Sequence, residues 1–220
     1  MKINDPVIPR QLQGPLREAA GWAALAAWAR EEEKDIAGWH LREVTAPRAE
    51  LSRLTFRGVR LERCRFSEAD AERTAFLDTE FVGCDLSGAN FDAAFFQRCR
   101  FIDCKGVGAL LPGSHLTHVS WEGGDWRYAV LDTSQGKGVR LRRCDFSGSS
   151  LSELRVTGWE LEETELIGVN FSHTLLKDVD LTRCRLEGIR IAGGELKGAV
   201  VTPYQAAELA RLLGVVIRQE

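Results

Sequence analysis

The chain has 220 residues, 44% of them hydrophobic, and a formal net charge of −3. That charge is too small to indicate direct nucleic-acid binding, and no apolar run has the length that a membrane helix needs. Residues 2–6 also lack the features of a signal peptide. We therefore expect a cytoplasmic protein of one or two domains that binds neither nucleic acid nor a membrane directly.

Residues 1–38 are predicted to form an N-terminal extension with a capping helix. Gly14-Pro15 favours a helix start, because proline suits the first helical turn, and the Ala-rich stretch that follows extends to about Asp35. This helix carries Trp22 and Trp28. The end of a β-coil exposes backbone and apolar side chains unless another element covers them. We expect the helix to cover the first coil or, as the alternative, to present its tryptophans to a partner.

Residues 39–201 repeat with a period of five. A residue that we call the centre, mostly large and apolar, occupies every position whose number ends in 1 or 6 from Leu41 to Val201. The position two residues before each centre is never charged. A helix repeats every 3.6 residues and a strand every 2, so this period indicates a repeat architecture. Inward and outward positions should alternate along it, with turns at the frequent glycines two residues after a centre.

The cysteines indicate how many repeats complete one coil. All six lie two residues before a centre, and five of them are separated by multiples of twenty. Four repeats per coil would place these cysteines above one another as buried, reduced thiols. With stacked strands ~4.8 Å apart, the region predicts an all-β solenoid of roughly eight coils and about 40 Å. The predicted core stack includes Cys64, Cys84, Cys104, Phe76, Phe81, Phe96 and Phe101.

Two adjoining segments carry a known motif. Cys84–Gly88 (CDLSG) and Ala89–Phe91 (ANF) follow the pattern A-[DN]-[LF]-x-x. On this motif the chain resembles the pentapeptide-repeat proteins over most of its length. The resemblance implies a right-handed, four-sided β-helix, and it implies little about function, since most members of the family have none assigned.

The stretch from Gly106 to Trp126 departs most from the pattern. Gly106 occupies a centre, which indicates either a local dent in the core or a bulging loop, and the unbroken period favours the dent. His115 and His118 lie here on outward positions without a third ligand at a suitable spacing, so no metal site is expected. No catalytic constellation or cofactor motif occurs elsewhere, and a filled rod has no pocket of the usual kind. The sequence therefore predicts a protein that is not an enzyme and uses no cofactor.

The outward charges are distributed unevenly over the four sides. The side that contains centre Phe91 and the side that contains centre Leu86 are mildly acidic, whereas the side that contains centre Phe76 is basic. One coil separates three arginines from three glutamates, which predicts a ladder of ion pairs, although exposed pairs contribute little each. The members of this ladder are Arg140, Arg142 and Arg143 with Glu160, Glu162 and Glu163.

Residues 202–220 are predicted to form a separate C-terminal element. Thr202 and Gln205 flank Pro203 as a capping box, and the helix that they begin should end at Gly214. A short strand is expected at residues 215–217. This apolar surface caps the last coil or, as the alternative that we favour, forms a two-fold dimer contact. The predicted dimer residues are Tyr204, Leu209, Leu212, Leu213, Val215 and Ile217.

The tail PYQAAELARLLGVVI is similar to that of pentapeptide-repeat proteins linked to quinolone resistance, in which the same helix joins two rods end to end. Those relatives have the width of DNA, engage DNA gyrase or topoisomerase IV, and protect it from inhibitors such as fluoroquinolones. The resemblance implies a DNA-mimicking homodimer with one of these enzymes as its partner. The small net charge and the absence of loops that break the period favour an alternative, a structural or adaptor rod that binds another protein.

Overall fold

The computed structural model describes residues 2–212 and 214–218. Its main element is a parallel β-solenoid of about six turns, with one helix before it and one after it. From β2 to β10, paired strands are offset by 20 residues, so that Phe76 lies beside Phe96 and Phe81 beside Phe101. One turn therefore contains four five-residue repeats, which agrees with the spacing of the cysteines.

Two sides of the coil are continuous sheet and the other two are mostly turns. From β6 onward a single strand of eight residues crosses two sides, whereas isolated bridges such as Asp70–Asn90 and Asp85–Lys105 hold the other two. The strands are β1 (Gln13–Leu16), β2 (Ile36–Ala37), β3 (Trp39–Arg42), β4 (Thr55–Arg57), β5 (Arg60–Glu62), β6 (Ala75–Val82), β7 (Phe95–Ile102), β8 (His115–Glu122), β9 (Gln135–Arg142) and β10 (Arg155–Glu162). The helices are α1 (Ala19–Glu31) and α2 (Pro203–Leu212), and a short 3-10 helix spans Gly194–Leu196.

The strands account for fewer turns than the roughly eight coils that the period predicts. Strand pairing ends with β10, and beyond it the coil continues through consecutive turns and the isolated bridges Glu165–Arg185, Asn170–Arg190 and Asp180–Val200. The 20-residue stacking thus persists after the regular sheet has ended. A count of repeats in the sequence cannot distinguish coils built from strands from coils built from turns.

The corners of the coil place many residues other than glycine in the left-handed region. At almost all corners the residue two after a centre has positive φ, both where it is Gly83 (φ 60°) and where it is Arg73 (φ 53°) or Ala93 (φ 51°). An L-residue in this region is strained by roughly 1–2 kcal/mol relative to the right-handed one. The stacked coils therefore impose the turn even where the local sequence disfavours it.

The core is a set of stacked aromatic columns. The rings of Phe56, Phe76 and Phe96 stack at centroid distances of 4.9 and 5.1 Å. On the next side Phe81 stacks on Phe101 at 4.6 Å, and Trp121 continues this column at 5.1 Å. All of these side chains are buried. Aromatic stacking thus follows the register of the coil, because residues 20 apart occupy equivalent inward positions.

The N-terminal helix begins later than the sequence predicts. Residues 13–16 form β1, which pairs with β3, and α1 starts at Ala19, so the predicted start at Gly14-Pro15 is wrong. The Gln13 N–H donates to the Gly38 carbonyl at 2.7 Å, and this edge pairing takes the place of the first helical turn. Trp22 is buried against Phe56 and Phe66, at centroid distances of 6.1 and 5.3 Å. By contrast, Trp28 on the same helix is 46% exposed.

Candidate interaction surfaces

Arginines and carboxylates neutralise each other on one side of the solenoid, which we call the ion-pair side and which contains the centres Leu61, Phe81, Phe101, Leu141 and Leu161. Two rungs of the predicted ladder form, Arg140–Glu160 at 2.6 Å and Arg142–Glu162 at 3.2 Å. The third differs, since Glu163 contacts Arg183 of the next coil. Further pairs across coils are Arg60–Glu80, Arg63–Glu43 and Arg100–Glu122. This side offers little free charge to a partner.

The side with centres Phe66, Leu86, Trp126, Phe146 and Leu166, which we call the compensated side, is also largely neutralised. Arg127 lies 2.7 Å from Asp125 and 3.7 Å from Asp145, and Arg185 lies 3.2 Å from Glu165. The Arg127 guanidinium holds the pKa of Asp125 below its usual range. The acidic character that the sequence predicts for this side is thus mostly compensated by arginines one coil or two residues away.

The other side that the sequence predicts to be acidic carries unpaired carboxylates. It contains the centres Ala71, Phe91, Leu111, Leu131 and Leu151, and we call it the acidic side. Within residues 2–212 and 214–218, Asp70, Asp92, Asp132 and Glu153 form no ion pair. Asp70 accepts hydrogen bonds from the Glu72 N–H at 3.1 Å and from the Asn90 amide at 3.2 Å. These carboxylates therefore leave a row of unpaired negative charge on this side, from the coil of Asp70 to that of Glu153.

The fourth side carries unpaired positive charge. It contains the centres Phe76, Phe96, Leu116, Gly136, Val156 and Leu176, and we call it the basic side. Lys137, Arg155, Lys177 and Lys197 are exposed and form no ion pair with the residues that the structure describes. Nearer the N-terminus, Arg98 is paired with Asp78 at 2.6 Å. Free positive charge is thus concentrated in the C-terminal half of this side.

Asp78 also attaches the N-terminal segment to the solenoid. Its Oδ1 accepts the Val7 N–H at 2.9 Å beside the ion pair with Arg98. Burial disfavours ionisation of this carboxyl, but the Arg98 guanidinium and the Val7 N–H outweigh it and lower the pKa of Asp78. The buried carboxylate is therefore stabilised in its charged form by its contacts.

The thiols of the predicted core stack all lie inside the coil. Cys64, Cys84 and Cys104 are each 1% exposed, and the Cys84 thiol lies 3.4 Å from the Leu61 carbonyl of the preceding coil. The six cysteines are buried and free. Burial raises the pKa of Cys99 and of Cys144 to about 12. The thiols of Cys99 and Cys144 therefore remain protonated near neutral pH, which makes them poor nucleophiles and poor metal ligands.

His115 and His118, which lie in the stretch from Gly106 to Trp126, do not belong, within the described part of the chain, to a group of side chains that could hold a metal ion. His115 contacts the Gln135 side chain at 2.8 Å and lies 6.2 Å from the Phe95 ring. Among residues 2–212 and 214–218, no three His, Cys, Asp or Glu side chains are grouped so that they could hold a metal ion. Neither helix within that part of the chain is long and apolar enough to cross a membrane.

The C-terminal capping box forms as the sequence predicts and also covers the coil end. The Gln205 N–H donates to the Thr202 hydroxyl at 3.2 Å, and the Thr202 N–H donates to Gln205 Oε1 at 2.8 Å. The Gln205 amide in turn donates to the carbonyls of Leu181 and Cys184 at 2.8 and 2.9 Å. One side chain thus caps both α2 and the last coil.

The predicted dimer residues divide into two groups. Leu209 is 4% exposed and belongs to the core of its own chain, so its place in a dimer contact is corrected to a role in capping. The exposed members are Tyr204 (73%), Leu212 (47%), Val215 (52%) and Ile217 (37%). Leu213 lies outside the described residues. The strand expected at residues 215–217 does not form, because the chain turns at Gly214 (φ 82°) without reaching a strand to pair with.

Comparisons with known proteins agree with this architecture. A family model described as "Pentapeptide repeat region" matches residues 74–145, and one described as "Pentapeptide repeats (8 copies)" matches residues 49–88 and 160–194. These matches together cover more than half of the chain, which belongs to the pentapeptide-repeat family. No curated protein sequence matches it.

Solved structures provide the second comparison. A trypsin-treated variant of QnrB1, a plasmid-mediated fluoroquinolone resistance protein, is 21% identical with a TM-score of 0.55, over 84% of this chain and 93% of that one. A second trypsin-treated QnrB1 variant is 23% identical with a TM-score of 0.51, over 83% and 92%. At this identity the likeness shows a shared fold.

The distinction between paired and unpaired charge is what the sequence analysis missed. Net charge per side does not reveal it, but the sequence contains the signal. Arg140 has Glu160 one coil later, whereas Asp92 has Glu72 and Pro112 as its neighbours at that spacing. Comparing each charge with the residues 20 before and 20 after it would have identified pairs such as Arg140–Glu160 and Arg185–Glu165, whereas the pairing of Arg127 with Asp125 lies within one coil.

Proposed function

We propose that this protein is a non-enzymatic DNA mimic that binds DNA gyrase or topoisomerase IV and changes its response to inhibitors such as fluoroquinolones. In this proposal the coil is the right-handed, four-sided rod of about eight levels that the family resemblance implies. The observation that carries it is the unpaired row of Asp70, Asp92, Asp132 and Glu153 on the acidic side. The fold shared with QnrB1 supports it.

The physical basis is competition for a cationic channel. An enzyme that holds duplex DNA presents a positive surface shaped for a stiff, negatively charged rod. Carboxylates that already contact arginines in their own chain add little to such binding, because their charge is compensated. The unpaired carboxylates of the acidic side are free to meet the lysines and arginines of the enzyme. We therefore assign contact with the enzyme to the acidic side.

A two-fold dimer completes the proposal. Topoisomerases that cut both strands have two-fold symmetry, and two rods joined through equivalent C-terminal tails would share it. The exposed apolar residues Tyr204, Leu212, Val215 and Ile217 would form this joint, and each tail would meet the same residues of its partner. In the free chain these side chains are exposed without serving the core, which supports a partner of their own kind.

A gyrase supercoiling assay with and without a fluoroquinolone tests the proposal. We expect the full chain either to preserve supercoiling in the presence of the drug or to inhibit the enzyme directly, with a dependence on its concentration. A protein that neither binds gyrase or topoisomerase IV nor alters either reaction would contradict the proposal.

One observation favours a second candidate, a structural or adaptor rod with a different protein partner. Most carboxylates of the ion-pair side and the compensated side already contact arginines, including Glu80, Glu160 and Asp125. DNA carries charge all around its axis, whereas this rod carries free negative charge mainly on one side. Failure in the supercoiling assay together with capture of a single different partner through the acidic side would favour this alternative.

A further inference from the structure

The acidic side and the basic side carry charges with matching spacing. On the acidic side, Glu72, Asp92, Pro112 and Asp132 occupy the position after the centre in four successive coils, and backbone bonds such as Arg73 N–H to Asp92 O join these levels. On the basic side the equivalent position in successive coils is occupied by Lys137, Thr157, Lys177 and Lys197. Each column therefore has three charged residues and one neutral residue. Glu72 differs from the two aspartates because it also contacts Arg73 of its own chain at 3.4 Å.

The order of the gaps determines how the two columns can meet. In the direction of the chain, the neutral residue of the acidic column, Pro112, is the third of the four. The neutral residue of the basic column, Thr157, is the second of the four. A parallel arrangement of two rods cannot align all three charges, but an antiparallel one can. It places Glu72 opposite Lys197, Asp92 opposite Lys177 and Asp132 opposite Lys137. With coils ~4.8 Å apart in both rods, the three contacts share one register.

The geometry of a coil supports the same arrangement. When two identical rods lie antiparallel, the chain crosses their facing sides in the same direction. Residues after a centre then face residues after a centre, and those before a centre face those before one. At the C-terminal end of the basic column, the Leu176 N–H donates to the Glu195 carbonyl at 2.9 Å, which joins the levels of Lys177 and Lys197. The columns can thus meet face to face over several coils.

Among the other facing residues one pair has like charges, since Asp70 lies opposite Glu195, whose carboxylate is buried and accepts three backbone N–H groups of its own chain. In this register Leu110, which is 41% exposed, faces the stem of Arg155, and Leu175, which is 67% exposed, faces Asn90. Pro112 faces Thr157. The position after these, at the corner, places Arg73 opposite Gly198 and Asp178 opposite Ala93. Two exposed apolar side chains are covered and each free lysine of the column gains a carboxylate.

We propose that copies of this protein associate side by side, with the acidic side of one rod antiparallel against the basic side of the next. The contact uses different surfaces on the two copies, so it extends an array and does not close a pair. It is separate from the tail joint of the proposed dimer. If the acidic side also engages a topoisomerase, which rests on the proposed function, side-by-side association would cover that surface and compete with the enzyme.

Exposed ion pairs are weak one by one and are screened by salt. Sedimentation velocity of the full chain therefore tests the proposal. We expect the average sedimentation coefficient to rise with concentration in ~0.05 M salt and the rise to disappear in roughly 0.5 M salt. Association through the apolar tail would persist at high salt, which separates the two contacts. A wild-type protein without any salt-sensitive association would overturn the proposal.

Charge reversal provides the sharper test. Lys177→Glu and Asp92→Lys should each weaken the salt-sensitive association by at least about fivefold. An equimolar mixture of the two variants should restore it, because one supplies an intact acidic side and the other an intact basic side. The control Lys105→Glu reverses an exposed lysine on the compensated side and should leave association unchanged. Equal losses in all three variants, or a mixture that stays unassociated, would contradict the assigned register.

Discussion

Trp126 occupies the space that a side chain at Gly106 would need. A Cβ added to Gly106 would lie 2.3 Å from the indole of Trp126, which is one coil further along and fully buried. The coil passes this point without a loop, since the Gly106 N–H donates to the Asp125 carbonyl at 2.8 Å. The space left by the missing side chain at Gly106 is thus filled by the large side chain of Trp126 in the next coil.

This complementarity predicts strong coupling between the two positions. Gly106→Leu should destabilise the protein by about 1–3 kcal/mol or more through overpacking, and Trp126→Leu should leave a cavity that costs about 2–4 kcal/mol. The double variant restores an ordinary centre in both coils, so its loss should be smaller than the sum by at least ~1 kcal/mol. Urea denaturation of the four proteins measures the coupling. Additive losses would show that the two side chains do not share one space.

The strained corners predict a stabilising substitution. Ala93 has φ 51° and an exposed side chain, so Ala93→Gly should relieve backbone strain and raise the free energy of unfolding by a net ~0.5–1 kcal/mol. The matched control is Ala89→Gly, a buried position outside the corners, which should lose about 1–2 kcal/mol. Denaturant melts distinguish them. If both substitutions destabilise the protein equally, the corner at Ala93 carries no strain.

A buried carboxylate near the C-terminus predicts a dependence of stability on pH. Glu195 is 4% exposed and accepts the N–H groups of His173, Ala192 and Gly193 at 2.8–3.1 Å. Burial opposes its ionisation, but these bonds outweigh burial and lower the pKa of Glu195. A lowered folded-state pKa contributes stability that is present above the ordinary value of ~4.3 and is lost as the pH falls through the folded value.

Glu195→Gln should therefore cost about 1–3 kcal/mol at pH 7, and the difference from the wild type should shrink below pH ~4. Glu153→Gln, at an exposed corner, is the control and should change little at any pH. Thermal or urea unfolding across this range is the measurement. A gap between wild type and Glu195→Gln that is constant with pH would mean that the charge of Glu195 does not stabilise the fold.

The proposed dimer predicts a monomeric variant. Leu212→Arg with Ile217→Arg places charge on two exposed apolar residues of the tail, whereas Leu209 must stay because it caps the coil. The variant should keep its β-type circular dichroism and become a monomer. Light scattering after size exclusion in high salt, where side-by-side contacts are screened, reports the mass. A wild type that is already monomeric at tens of micromolar would refute the joint.

Nearly all of the solenoid could be predicted from the sequence, because the pattern within each repeat shows which residues face the core. Phe76, Phe96 and their equivalents follow a strict period, and the cysteine spacing sets four repeats per turn. The N-terminus was predicted less well, since the pairing of Gln13 with the sheet edge is a contact with residues far along the chain. The local pattern around Pro15 indicated a helix, but edge pairing outweighs that preference.

The candidate surfaces were only partly predictable for a related reason. The net charge of each side predicted two acidic sides, yet Arg127 compensates Asp125 and Asp145 on one of them. Likewise the amphipathic pattern of the tail did not reveal that Leu209 faces the coil while Leu212 faces outward. Such distinctions depend on which coil or helix face lies opposite, and this becomes apparent only when the repeats are stacked.

The most direct test of the central claim compares unpaired with paired carboxylates in their effect on gyrase. Asp92→Asn with Asp132→Asn removes two charges from the acidic side, and Asp125→Asn with Asp145→Asn removes two that contact Arg127. In a supercoiling assay with a fluoroquinolone, the first variant should need roughly tenfold more protein for the same effect, and the second should act like the wild type. Equal activity of the two variants, or a greater loss in the second, would contradict the assignment of binding to the acidic side.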